Sequence, residues 1–178
     1  MSTESVAPEA LHPWSIYLQA SEEARRRGDH RTGTDHLLLA LLEQDPSTEV
    51  VLGVSLQQAR NALDSLDREA LATLGLGAGF DAPPLPMRAV PQKPRIRDVA
   101  QKDRPRMTPV AKRVLQEAVK PNRRKTQVTA QQVLAQLLHL QPPDPAAVLL
   151  DALGVDISGV LQELARAVAQ PGQTGGRG

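Results

Sequence analysis

The sequence predicts an all-α fold made of two related halves. Hydrophobic residues make up 40% of the 178 residues, yet the chain holds only one Trp, one Tyr and one Phe. Its core must therefore be built from Leu, Val, Ile and Ala, a composition that suits close-packed helices. Apolar residues recur at helical spacing on both sides of a proline-rich middle, and no run alternates with period two for long enough to predict a strand.

The two halves resemble each other in sequence. The segment DHLLLALL at residues 35–42 corresponds to QQVLAQLL at residues 131–138, 96 positions later. The triplet Leu-Gly-Val at residues 52–54 recurs at 153–155, 101 positions later, so the second copy carries five extra residues. Similarity at a nearly fixed offset indicates a duplicated unit, and each copy is predicted to contain four helices.

Apolar stripes with a period of 3.6 residues predict three helices in each copy, and a short helix is expected at residues 46–52. The first copy has the stripes Trp14, Tyr17, Leu18 and Ala24, then Leu38, Leu41 and Leu42, then Leu56, Ala59, Leu63 and Leu66. The second copy has Val114 and Leu115, then Leu134, Leu137 and Leu138, then Ile157, Val160, Leu161, Leu164 and Val168.

Capping signals agree with these helices. A capping box satisfies two backbone N–H groups at a helix start, and proline suits the first helical position after a capping side chain. The signals are Ser55 with Gln58, Thr129 with Gln132, Thr108 before Pro109, and Asp144 before Pro145. Pro121 is expected to end the first helix of the second copy early.

Proline, glycine and charge divide the chain. We predict a flexible N-terminus over residues 1–10, a first repeat over 11–74, a basic proline-rich linker over 75–106, a divergent second repeat over 107–170 and a flexible tail over 171–178. Lys and Arg number 6 against 10 Asp and Glu in the first repeat, 7 against 3 in the linker and 7 against 5 in the second repeat. The first repeat is thus acidic and the linker basic.

Several chemistries are excluded by the residues present. The chain has no cysteine, which removes disulfides, thiolate zinc sites and cysteine nucleophiles. It has no phosphate-binding G-x-x-x-x-G-K-[ST] loop, no G-x-S-x-G elbow, no H-E-x-x-H and no G-x-G-x-x-G. We therefore expect a protein that is not an enzyme and needs no cofactor.

Local sequence features predict the compartment and argue against metal binding and nucleic-acid binding. The polar start lacks a basic signal region, and the leucine-rich run 37–42 is too short to cross a bilayer, so a cytoplasmic protein without membrane contact is expected. His36 directly follows Asp35 at a predicted helix start, so the two side chains are expected to diverge and bind no metal. The basic run 123–125 and the basic linker lack aromatic neighbours for stacking, which argues against nucleic-acid binding.

A second charged run lies at the end of the first predicted helix. Glu22 and Glu23 precede Arg25, Arg26 and Arg27 at spacings of three and four residues. Such pairs stabilise an exposed helix by about 0.2 to 0.5 kcal/mol each. We expect these residues to form ion pairs on a solvated helix face.

The string ASEEARRRGDHRTGTDHLLLALL at residues 20–42, followed by Leu-Gly-Val and a last helix, resembles the amino-terminal repeat of Clp-family AAA+ unfoldases. The resemblance covers both copies and is weaker in the second, where TAQQVLAQLL replaces the hallmark GTEHLLL segment. It implies a pseudo-twofold domain of two four-helix Clp repeats. In the parent unfoldases this domain is a mobile platform for substrates and adaptors, and a free-standing copy without the ATPase ring is expected here.

The resemblance thus implies a binding protein rather than a motor. It would act as an adaptor, decoy or regulator of Clp-dependent proteolysis, with Clp substrates, adaptors or the unfoldase as partners and with cyclic peptide antibiotics as further ligands. An alternative is a regulatory subunit that assembles directly on a Clp unfoldase or protease. A weaker alternative is nucleic-acid binding through the basic linker.

The resemblance also implies candidate binding positions. Relatives bind phosphoarginine through the glutamate of G-T-E-H and a threonine near the repeat start, whereas here Asp35 and Gln131 replace the glutamates and only Thr108 keeps the threonine. In the first copy the position of this threonine is occupied by His12, or by Ala10 if the copy is aligned to the family without a gap. Neither copy keeps the full pair, which argues against phosphoarginine and favours general peptide or adaptor docking.

An apolar residue precedes each of these positions. It is Leu11 in the first copy and Met107 in the second, where relatives have an aromatic residue, and either contacts a peptide ligand or staples the helix start to the core. The candidate ligand-binding residues are Leu11, His12, Asp35, Met107, Thr108 and Gln131.

Overall fold

The computed structural model describes residues 10–75, 105–122 and 127–169. Within these ranges the chain forms eight α-helices and four strands of two residues each. The helices are α1 (Pro13–Arg27), α2 (Thr34–Gln44), α3 (Pro46–Leu52), α4 (Leu56–Thr73), α5 (Pro109–Val119), α6 (Ala130–Leu138), α7 (Pro145–Ala152) and α8 (Ile157–Ala169). The strands are β1 (Ala10–Leu11), β2 (Arg31–Thr32), β3 (Arg106–Met107) and β4 (Val128–Thr129), and a 3-10 turn covers Lys120–Asn122. The all-α prediction is confirmed, including the short helix α3.

The predicted caps start the helices. The Ser55 hydroxyl accepts the N–H of Gln58 at 3.2 Å, and the Gln58 amide oxygen accepts the N–H of Ser55 at 2.8 Å. Thr129 and Gln132 form the same reciprocal box at 3.2 and 3.0 Å. Thr108 and Asp144 cap α5 and α7. Helix α5 ends at Val119, two residues before Pro121, as expected.

Helix α2 lies at the centre of the fold. Residues 34–42 are all buried, and α2 packs against α1, α3, α4, α5, α6 and α7. A helix that is apolar on nearly every face is stable only when it is surrounded, which is the reason for the unbroken LLLALL run. One hydrophobic core joins Ile16 and Leu38 from the first half to Leu134, Leu149 and Leu164 from the second.

One predicted core residue is on the surface. Trp14 is 47% exposed, because α1 turns Ile16, Ala20 and Ala24 inward at a spacing of four residues. The Trp14 ring packs instead on Tyr17, with ring centroids 5.0 Å apart. Placing Trp14 in the buried stripe of α1 was therefore wrong.

The four strands contradict the expectation that the chain has none. Each spans two residues, too few for a period of two to be visible in the sequence. β1 pairs antiparallel with β4, and β2 pairs parallel with β3. Each pair joins a segment of the first half to a segment of the second.

Parts of the domain prediction fall outside the described residues. These are residues 1–9, most of the linker (76–104), the basic run within 123–126, the last residue of the second repeat (170) and the tail (171–178). The described ends of the linker are Gly75, just after α4, and Pro105 with Arg106, which lead into β3. The repeat boundaries and the pseudo-twofold symmetry stay predictions.

Candidate functional site

The first group of predicted site residues lies at the pairing of β2 with β3. Thr32 lies opposite Met107, and the N–H of Thr108 donates to the Thr32 carbonyl at 2.9 Å. Met107 is half-buried against the core, and the Thr108 hydroxyl accepts the Ala111 N–H at 3.3 Å. Asp35 follows three residues after Thr32, in the first turn of α2. We call this place the first junction.

The second group lies at the pairing of β1 with β4, which we call the second junction. Leu11 lies opposite Val128 and packs partly against the core. His12 is the N-cap of α1, and its Nδ1 accepts the Trp14 N–H at 3.1 Å. Gln131 is half-buried in the first turn of α6, directly after β4.

The six predicted residues are thus grouped across the two halves. The start of each half meets the segment before the second helix of the other half. Thr108 shares the first junction with Asp35, and His12 shares the second with Gln131. The sequence comparison had paired these residues within each copy, because a linear repeat does not show which strands pair. Their ligand-binding role stays a prediction.

Asp35 is 7% exposed and forms a buried cluster with His36. The Asp35 Oδ1 lies 3.1 Å from Nδ1 of His36, and Nε2 of His36 lies 2.9 Å from Oδ2 of Asp29. Asp29 also accepts the Nε–H of Arg27 at 3.2 Å. The expectation that the Asp35 and His36 side chains diverge was wrong, because the imidazole of His36 turns back toward the start of α2.

The pKa values of this pair move in opposite directions. Burial lowers the pKa of His36, but the hydrogen bond and charge of Asp35, with Asp29 beyond, outweigh it and raise the pKa overall. Burial raises the pKa of Asp35, but the hydrogen bond and charge of His36 outweigh it, so that this pKa is lowered. Both shifts favour an ion pair at the start of α2.

His36 Nδ1 has a second neighbour. The backbone N of Gly33 lies 3.0 Å from it, within hydrogen-bonding distance. The Gly33 N–H donates to Nδ1 only when this nitrogen carries no proton, whereas a proton on Nδ1 is donated to Asp35. The imidazole therefore exchanges a capping bond for an ion pair when it is protonated.

Gly33 leaves room for the Asp35 carboxylate. Its φ of −92° is open to any residue, but a Cβ at this position would overlap Oδ1 of Asp35. The neighbouring Thr34 hydroxyl donates to Asp144 Oδ1 at 2.6 Å and accepts the Ala146 N–H at 3.3 Å. The segment Gly-Thr-Asp-His thus fixes the start of α2 and ties it to the start of α7.

A second buried carboxylate was missed by the sequence analysis. Glu23 was expected on a solvated face, yet it is 2% exposed. Its carboxylate contacts Arg26 and binds Arg60 of α4 at 2.5 and 3.3 Å, and Arg60 also reaches Glu43 at 3.2 Å. Glu22 does form the expected pair with Arg25, at 3.2 Å. Glu23 thus joins α1 to α4.

An open cleft of about 960 Å³ lies between the α1–α2 loop, α4 and the start of α7. Asp35 and His36 contribute to its wall, Arg27 comes from the end of α1, and Asp29 and Arg31 come from the loop. Asp35 is the predicted site residue that lines this cleft; the other five do not. No local pattern in the sequence predicts the cleft, because its walls are distant in the chain.

No group of three or more His, Cys, Asp or Glu side chains in residues 10–75, 105–122 and 127–169 could hold a metal ion. No helix in those ranges is long and apolar enough to span a bilayer.

Comparison with known proteins places the fold. No protein-family model matches the chain, and no curated protein matches it. The arrangement of helices is nevertheless that of an established class, the all-α amino-terminal domain of Clp chaperones. This chain has the Clp N-terminal domain fold.

A solved structure of that class provides the comparison. It is the N-terminal domain of the caseinolytic protease associated chaperone ClpD from Arabidopsis thaliana, which matches with a TM-score of 0.57 and 16% sequence identity. The match covers 96% of this chain and 100% of that chain. At this identity the likeness is one of fold, and it agrees with the resemblance noted in the sequence.

Proposed function

We propose that this chain is a non-catalytic docking module of Clp-dependent proteolysis, which binds a Clp substrate, an adaptor or the unfoldase. The fold supports the proposal most directly, since it is the fold of a chaperone's N-terminal domain. The sequence carries none of the nucleotide-binding or hydrolase motifs considered above. As adaptor, decoy or regulator, the chain would work by occupying a surface that partners recognise.

The two junctions are the proposed binding positions. Each places an apolar residue, Leu11 or Met107, on a strand paired with the segment that leads into Gln131 or Asp35 of the opposite half. A ligand bound there would contact both halves at once. Such a ligand would stabilise the domain against unfolding, because it binds the folded state alone.

The test is binding to a Clp unfoldase and its adaptors. The purified chain is mixed with the cognate unfoldase and passed over a size-exclusion column, then titrated as competitor against adaptor binding. Met107→Ala and Gln131→Ala should weaken the interaction, while Glu163→Ala on the exposed face of α8 should leave it unchanged. Absence of both co-migration and competition by the wild-type chain would refute the proposed function.

The same experiment separates the alternatives. Stable co-migration with the unfoldase indicates a regulatory subunit, whereas competition without co-migration indicates a decoy or adaptor. Cyclic peptide antibiotics and a phosphoarginine peptide belong in the ligand panel, with a shift in melting temperature as the readout. Nucleic-acid binding through the basic linker would show a steep loss of affinity with salt.

A further inference from the structure

The cleft beside α2 has a partly apolar lining. Leu66 of α4, Val148 of α7, Pro143 and Pro145 line it, above Leu63, which is buried in the hydrophobic core. Leu66 and Val148 are half-buried, and both prolines are exposed. A concave apolar surface of this volume is typical of a ligand or peptide site.

The rim of the cleft carries an excess of negative charge. Its lining includes four carboxylates, from Asp29, Asp35, Asp67 and Glu69, against the two guanidinium groups of Arg27 and Arg31. His36 adds a positive charge when protonated, which still leaves the carboxylates in excess. A cleft with low-dielectric walls concentrates the field of such charges.

The carboxylates on α4 are only partly neutralised. Arg27 is shared among Asp67 at 2.5 Å, Asp29 at 3.2 Å and Asp64 at 3.8 Å, so that one cation serves three anions. Glu69 is exposed and forms no ion pair with any residue in the described part of the chain. The α4 wall therefore has carboxylate oxygens available to a cationic partner.

We propose that this cleft binds a basic peptide segment of a partner protein, one that places an aliphatic side chain against the apolar lining and an arginine or lysine against Asp67 and Glu69. The proposal rests on the docking function proposed above and adds the location and the partner's chemistry. Arginine binds a carboxylate through two parallel N–H groups, which gives direction as well as attraction. Charge complementarity of this kind mainly speeds association and rejects acidic competitors.

The test uses two labelled peptides and the full chain. One peptide of about ten residues alternates arginine with leucine, and the other has glutamate in place of each arginine; extended, either spans roughly 33 Å. Fluorescence anisotropy should show binding of the basic peptide and at least about tenfold weaker binding of the acidic one. Raising the salt concentration from about 50 to about 300 mM should lower the affinity for the basic peptide. Equal binding of both peptides would overturn the proposal.

Two pairs of variants locate the site. Glu69→Gln should lower the affinity for the basic peptide by about threefold, as expected for one exposed charge pair. Glu163→Gln on α8 should leave this affinity unchanged. Ala70 lines the cleft on α4 and is exposed. Ala70→Lys should lower the affinity for the basic peptide by about tenfold or more. Ala70→Glu has a side chain of similar length and opposite charge, and it should preserve or raise the affinity. Equal affinities for the two Ala70 variants would place the peptide elsewhere.

A further variant, with the linker replaced, tests another occupant. Residues 76–104 carry six Lys and Arg against three Asp, and they are replaced by a Gly-Ser segment of equal length. If this variant binds the peptide more than about tenfold tighter than the wild-type chain, the cleft belongs to the chain's own segment and the proposal is overturned.

The outcomes also separate this proposal from the docking function. A chain that binds its Clp partner but not the basic peptide refutes the cleft assignment alone. A chain that binds the basic peptide in the cleft, but neither co-migrates with the unfoldase nor competes for its adaptors, refutes the docking function alone.

Discussion

Replacement of His36 by glutamine should reduce stability by an amount that depends on pH. Glutamine can still accept the Gly33 N–H, and it has the atoms to keep the cap of α2, but it cannot become charged. At about pH 5.5 the wild-type imidazole is the cation between Asp35 and Asp29. The substitution leaves Asp35, 7% exposed, without its adjacent cation.

The magnitude follows from the burial of each partner. Breaking a fully buried ion pair costs about 3 to 5 kcal/mol, but the Asp29 side chain is 43% exposed and solvent screens its half of the interaction. The glutamine amide replaces one hydrogen bond, worth about 1 kcal/mol. We therefore expect the free energy of unfolding to fall by about 2 to 3 kcal/mol at about pH 5.5. At about pH 8.5 the loss should be smaller and should approach about 1 kcal/mol as His36 loses its proton, because the neutral imidazole still donates Nε2–H to Asp29.

The direction of the pH dependence follows from the two pKa shifts. The raised pKa of His36 means that its contribution is complete below its ordinary value of 6.5 and is lost as pH rises through the folded-state value. The lowered pKa of Asp35 means that its contribution is present above the ordinary 3.8 and is lost as pH falls through its folded-state value. Between those ordinary values both contributions are present. The charged groups that contact the imidazole are Asp29 from the loop and Asp35 from α2, and Arg27 from α1 pairs with Asp29.

Urea denaturation followed by far-UV circular dichroism at both pH values measures these differences. His30→Gln is the matched control, since His30 is exposed and lies in the same loop. Its effect should be within about 0.5 kcal/mol at either pH. If His36→Gln costs the same at both pH values, or more at the higher one, the ion pair with Asp35 is not what stabilises the start of α2.

Three further substitutions are expected to lower the free energy of unfolding in the same assay. Glu23→Ala should cost about 2 to 4 kcal/mol by leaving the half-buried Arg60 without its main partner, whereas Glu22→Ala should stay within about 0.5 kcal/mol; similar costs would refute the buried role. Thr34→Val should cost about 1 to 2 kcal/mol, since the shared hydroxyl that ties α2 to the N-cap of α7 is lost; no change would refute that link. Gly33→Ala should cost about 1 to 3 kcal/mol through overlap with the Asp35 carboxylate, and less in an Asp35→Ala background; equal costs in both backgrounds would exclude the overlap.

Helices and caps were predictable because their signals are local. A stripe with a period of 3.6 residues and a capping box such as Ser55 with Gln58 depend on side chains within one or two turns. Helix α2 was equally clear, since its unbroken leucines require burial on all sides. Exposure of Trp14 was not predictable, because three other apolar positions on α1 compete for the same inward face.

The candidate site was only partly predictable, because its parts meet through pairings that the sequence does not encode locally. The two-residue strands are too short to show a period, yet they decide that Asp35 lies with Thr108 and not with His12. Burial of Glu23 depends on Arg60, 37 positions away. In the sequence, the carboxylates of the cleft resemble ordinary surface charges, because the sequence does not show that α4 lies next to the α1–α2 loop.

Asp35 connects the features that the sequence and the structure identify separately. It belongs to the first junction by its place in the chain, and its carboxylate lines the acidic cleft and binds His36. The Gly33 N–H competes with Asp35 for Nδ1 of His36. Gly33 directly follows Thr32, and the Thr32 carbonyl accepts the Thr108 N–H. A cation bound in the cleft that attracts Asp35 would weaken its bond to His36 and free Nδ1 for Gly33. Ligand binding in the cleft and at the first junction should therefore be coupled, since both act on the same short segment at the start of α2.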